Sequence, residues 1–115
     1  MPENKSHTTA EKAATHDVLT PLIQAMYDEF KDLSKKKPDS PISKSKIKVV
    51  NRMLKKLRTV LNDEESIEFL DLLDEDDVPQ ASDVTLMLSQ YVAAMVSFRK
   101  KYHGFSDGKQ TWFLK

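Results

Sequence analysis

Cysteine is absent from the chain. That excludes disulfide staples, thiol nucleophiles and metal sites ligated through sulfur. Glycine is nearly absent, with only Gly104 and Gly108, both close to the C-terminal end. A glycine-rich phosphate loop is therefore excluded, and a β-rich fold with many tight turns is disfavoured. No apolar run approaches the roughly 20 residues of a membrane span, so no membrane partner is expected. Residues 1–9 are polar and offer no apolar segment for a secretory signal, so the expected compartment is the cytoplasm. Without secretion, the Asn4-Lys5-Ser6 glycosylation triplet has no use. An excess of one charge sign is also missing: 18 basic and 18 acidic residues cancel.

What is present is 115 residues with 39% hydrophobic and 31% charged side chains, enough for one small core but not for two ordinary domains. The apolar residues recur at helical spacing. Leu22, Ile23, Met26, Phe30 and Leu33 share one face with Tyr27 beside them. Thr20 and Pro21 resemble an N-cap and first helical residue, which makes Ala10 to Leu19 a separate turn or two. Lys35, Lys36 and Lys37 suit the helix C-terminus, and Pro38 stops it.

Ser40 and Pro41 repeat the cap pattern before a helix predicted from Ile42 to Leu61. Its stripe is Ile47, Val50, Leu54, Leu57 and Leu61, widened by Met53 and Val60. Asp63, Glu64 and Glu65 open a predicted short helix with Ile67, Leu70 and Leu73 buried and Phe69 and Leu72 flanking. Asp74 to Pro79 is expected to be loop. Ser82 is the predicted N-cap of the last long helix, which carries Val84, Leu88, Tyr91, Met95, Phe98 and Tyr102 and ends at Gly104. No strand is predicted; Thr111 to Leu114 comes nearest but lacks an evident partner. The expected fold is all-α, a small antiparallel bundle of three long helices and one short one. Residues 1–9 form a flexible arm, 10–104 the bundle and 105–115 an aromatic tail.

Charge is strongly segregated. From Lys35 to Arg58 there are ten basic residues against one acid, Asp39; from Asp63 to Asp83 there are ten acids and no base. Two readings follow. The basic and acidic segments can neutralise each other across a helix seam, in exposed pairs worth roughly 0.2–1 kcal/mol each. Alternatively the surface is bipolar, with each patch attracting a different partner. Lys44, Lys48, Arg52 and Lys55 are the candidate anion- or partner-binding residues; Asp74, Glu75, Asp76 and Asp77 are the candidate acidic surface.

Chemical sites are scarce. His7, His16 and His103 show no metal-ligand spacing, and the acidic run lacks the glycine and closing glutamate of a calcium loop. No metal or cofactor is expected. Ser40 and Ser82 are better explained as caps than as nucleophiles. Arg99 and His103 lie four apart on one helix face, a pair able to serve an RNA-cleaving site but also suited to a helix C-terminus. Trp112 and Phe113 either fold back over the core or serve as an aromatic anchor for a partner or a second copy.

The first functional reading is a non-enzymatic helical protein-interaction module, such as an adaptor, inhibitor or antitoxin-like regulator. The second is a nucleic-acid-binding regulator using the basic helix. Zero net charge and the lack of aromatic residues on that helix count against it. The third is an RNase-like helical enzyme.

Overall fold

The computed structural model describes residues 6–115. Three α-helices carry the fold: α1 (Ala10–Lys36), α2 (Lys44–Leu61) and α3 (Ala81–Tyr102). A five-residue 3-10 helix (Glu65–Phe69) lies between α2 and α3. The chain ends in a two-stranded antiparallel hairpin, β1 (His103–Ser106) and β2 (Lys109–Trp112). The molecule is therefore mostly helical, but not all-α.

The predicted stripes form the core, except that Leu22 of the α1 stripe is 50% exposed and lies outside it. Ile47, Val50, Leu54, Leu57, Val60 and Leu61 of α2 pack with Val84, Leu88, Tyr91, Met95, Phe98 and Tyr102 of α3. From α1 come Leu19 and Ile23, with Met26, Phe30 and Leu33 partly buried against the cluster. Tyr91 is fully enclosed, and its hydroxyl donates to the Asp71 carbonyl at 2.8 Å. Burial pushes that phenol up to about 12, so it remains a donor across the ordinary pH range.

Several predicted boundaries are corrected. Pro21 does not begin a helix; α1 runs through it as one 27-residue element capped by the Thr9 side chain, which accepts from the Lys12 N–H. Pro21 is exposed, and the apolar face continues in phase across it from Ala13 to Leu33. Burying that face on α3 outweighs the roughly 3 kcal/mol cost of an interior proline. Thr20 is not a cap; its hydroxyl donates back to the His16 carbonyl at 2.6 Å.

Ser40 and Pro41 do not cap α2 either. Ser43 does, accepting from the Lys46 N–H at 3.3 Å. Residues 38–42 are needed elsewhere. The Pro38 and Ser40 carbonyls accept from the Ser82 and Ala81 N–H groups, and the Ile42 N–H donates to Pro79. The free donors at the start of α3 are thus satisfied by main chain, with Asp83 accepting from the Gln80 N–H, and Ser82 is not the cap.

The predicted short α-helix after Asn62 is only the 3-10 turn, none of whose residues is buried; Leu70 just beyond it is. Phe69 is 68% exposed. The hairpin replaces the predicted loop-like tail, and Gly104 sits in β1 rather than at a helix cap. Asp107 and Gly108 both have positive φ (51° and 81°), the two-residue turn that matches strand twist. The partner strand comes from His103 to Ser106, a stretch the helical reading had claimed in part. At Gly104 a Cβ would lie 3.1 Å from the Phe113 ring, so glycine lets that ring approach.

Residues 1–5 of the predicted arm, and with them Asn4 and Lys5 of the glycosylation triplet, lie outside the described residues. Thr8 is buried and pairs with the chain end: its N–H donates to Phe113 and its carbonyl accepts from Lys115.

Leu57 is completely enclosed, so Leu57→Ala is expected to lower unfolding free energy by about 2–5 kcal/mol in urea titration. A loss below about 1 kcal/mol would mean that the α2–α3 seam is not packed this way.

Candidate functional site

On α2 the core-facing stripe leaves the opposite side to Lys48, Arg52, Lys55 and Lys56, at positions i, i+4, i+7 and i+8. All four are exposed and pair with no described residue. Lys44 lies on the same helix but is taken by Asp76 at 3.2 Å. The ridge borders two concavities. Toward the acidic segment is a groove of about 430 Å³ whose lining includes Glu75 together with Lys48, Arg52, Lys55 and Lys56. Toward α1 is one of about 530 Å³, lined by Met26, Phe30, Leu33 and the half-exposed Val49, with Glu29 and Lys46 also in its lining.

The acidic segment does not cover the ridge, because it is not held by its carboxylates. Asn51, buried beside the α2 stripe, donates to the Leu73 carbonyl at 2.8 Å and accepts from the Leu73 N–H at 2.9 Å. Arg58 donates to the Leu70 carbonyl, and Tyr91 to Asp71. These bonds dock the main chain of 70–73 and leave Asp71 and Asp77 exposed. Asp74 is used locally, accepting from the Asp76 N–H at 2.9 Å. The four candidate acids therefore divide. Asp77 faces solvent, Glu75 lines the basic groove, Asp74 shapes a turn and Asp76 binds Lys44. Apolar periodicity alone does not single out Asn51; its signal is an amide four residues after Ile47, inside an otherwise apolar stripe.

A second cluster lies where α1, α3 and the hairpin meet. His16 is 2% exposed, and its Nε2 lies 2.8 Å from the Met95 carbonyl. A carbonyl only accepts, so Nε2 carries the proton. Phe98 stacks on the His16 ring at 5.4 Å, and Trp112 meets it edge-on at 5.1 Å. Trp112 also contacts His103 at 5.1 Å, and its indole N–H donates to Asp17 at 3.1 Å. The Arg99 guanidinium lies 5.8 Å from the Trp112 ring, 3.5 Å from His103 Nε2 and 3.9 Å from Asp17. Arg99 and His103 thus share a cleft, and Trp112 and Phe113 are engaged within the chain. His16 and Asp17 join them only through tertiary packing.

Burial, then the Arg99 charge, hold the His103 imidazole below its ordinary 6.5, with Asp17 opposing. On acidification the unfolded chain therefore takes up this proton first, and stability is lost as pH falls through the folded-state value. His103→Gln is expected to flatten the decline in melting temperature between about pH 7.5 and pH 5. An unchanged pH profile in the variant would contradict that assignment.

Among the described residues, no group of three or more His, Asp or Glu is placed to hold a metal ion, and no helix is long and apolar enough to cross a membrane. No protein-family model, curated protein or solved structure matches this chain.

Proposed function

We propose that this chain is a non-enzymatic interaction module that takes an acidic, amphipathic helix of another protein along the outer side of α2. The observation that carries the reading is the uncovered ridge of Lys48, Arg52, Lys55 and Lys56, which no described carboxylate neutralises through an ion pair. In this reading the three helices act as an antiparallel bundle that holds the ridge rigid, so little ordering entropy opposes binding. The ridge supplies long-range attraction. The neighbouring groove, with Met26, Phe30 and Val49, supplies contact area for apolar anchors at helical spacing. Methionine there adapts its shape to an incoming side chain.

Nucleic-acid binding is the second reading, and the same exposed ridge favours it. One feature favours the protein partner instead: the groove toward α1 offers Met26, Phe30, Leu33 and Val49 to apolar anchors, where a sugar–phosphate backbone is polar.

The test uses a synthetic helical peptide with glutamates on one face and leucines at i, i+3 and i+7, alongside a random-sequence DNA duplex. The peptide is expected to bind the wild type. Lys48→Glu with Lys55→Glu is expected to weaken binding at least about tenfold with helix content unchanged. Val49→Asp is expected to weaken it through the apolar contact. Duplex binding at physiological ionic strength that falls steeply with salt, without peptide binding, would replace this reading with the nucleic-acid one. Concentration-dependent dimerisation abolished by the same charge reversal would instead make a second copy the occupant.

A further inference from the structure

A cavity of about 390 Å³ opens between α1 and α3 beside the hairpin and shares no residue with the α2 ridge. Ile23, Val92, Met95 and Val96 give it apolar wall, interrupted by Thr20, Gln24 and Gln110. Its edge carries Arg99, Lys100 and His103, and no described Asp or Glu lines it. From its size and composition, we propose that this cavity is a binding site for a small organic anion, a compact apolar body bearing one phosphate or carboxylate group. The proposal goes beyond the protein-binding reading and stands independently of it.

The chemistry of the walls selects this class. A volume near the lower end of the roughly 300–1,000 Å³ typical of ligand sites admits one ring or short chain. Apolar residues reward burying that body, while a free inorganic anion leaves them unfilled. The cationic edge is available. Lys100 makes no ion pair with a described residue. Arg99 lies 3.9 Å from Asp17 Oδ1, too far for a hydrogen-bonded fork, while Asp17 Oδ2 accepts from the Trp112 indole. Arg99 lies over the Trp112 ring, which leaves N–H donors for a ligand. His103 completes the set; an anion beside it favours the imidazolium and converts its ring into a second donor.

The same geometry favours binding over turnover. His16 lines the cavity but is buried, with Nε2 committed to the Met95 carbonyl. His103 is then the one histidine able to exchange a proton with a ligand, and acid–base cleavage of a phosphodiester needs a group on each side of the reacting phosphorus.

Trp112 is the chain's only tryptophan and touches both Arg99 and His103, so its emission reports the site. Phenyl phosphate and benzoate are the probes, with inorganic phosphate and phenol as controls, titrated by calorimetry and Trp112 emission. At least one probe is expected to bind saturably at one site per chain. Each control is expected to be at least about tenfold weaker. Which probe binds more tightly identifies the headgroup. His103 ring resonances should titrate at higher pH in the complex. Arg99→Gln should weaken binding at least about tenfold, and Arg99→Lys should recover part of it. Val96→Phe, at a half-exposed position, fills the cavity without entering the core and should abolish binding even if Arg99→Gln fails to fold. Inorganic phosphate binding as tightly as phenyl phosphate would overturn the proposal, leaving an unspecific cationic patch. Absence of saturable binding by both probes, or full binding by a folded Val96→Phe, would overturn it equally.

Discussion

One buried amide fixes the relation between the two charged halves of this chain. Asn51 meets both main-chain groups of Leu73, and Arg58 and Tyr91 bind the carbonyls of Leu70 and Asp71. The acidic segment is thereby docked on the α2–α3 seam through its backbone. Leaving a buried amide unsatisfied costs about 1–3 kcal/mol, whereas an exposed ion pair contributes about 0.2–1 kcal/mol. Neutral hydrogen bonding therefore decides the packing. The carboxylates and lysines are left mostly facing solvent, with Lys44–Asp76 the one ion pair among the described residues between α2 and residues 70–77. This packing leaves Lys48, Arg52, Lys55 and Lys56 without an ion pair among the described residues, and the proposed function rests on that ridge.

The other end of the molecule obeys the same rule with different groups. His16 on α1 reaches Met95 on α3, 79 residues away, and its ring is enclosed by Phe98 and Trp112. The hairpin returns Trp112 to that point, and Thr8 and Phe113 tie the described start of the chain to its end. Ion pairs at this end include Lys12–Asp63, Lys101–Glu64 and the longer Arg99–Asp17. Polar atoms hold the ends, the apolar stripes fill the middle, and the charged ridge and the anion cavity occupy separate surfaces.

Periodicity made the core legible. The stripes of α2 and α3 were readable because each repeats at helical spacing and each is buried as read, Leu54, Leu57, Leu88, Tyr91 and Met95 included. What local patterns conceal is what long-range pairing decides. Thr20-Pro21 and Ser40-Pro41 carry helix-start chemistry, but the first is overruled by a continuous buried face and the second by main-chain pairing with residues 79–82. The Asp107-Gly108 turn was visible, yet its strand partner began where a helical stripe was ending. For the site, Arg99 and His103 could be read as neighbours from their spacing, although His103 lies in β1 rather than on the α3 face. Their neighbours His16, Asp17 and Trp112 could not, since only the packed fold brings them together. The lysine ridge was legible as a basic helix face, but whether acids cover it depended on Asn51, a single residue whose partner lies 22 positions away.

The most direct test of this account is hydrogen exchange at the Leu73 amide, measured in low salt and in high salt. That N–H donates to a neutral amide oxygen at 2.9 Å, so its protection should persist when exposed charge pairs are screened. Protection that collapses in high salt while the core amides of α2 and α3 stay protected would show that charge pairing, not Asn51, holds the acidic segment in place. The uncovered basic ridge would then lose its physical basis.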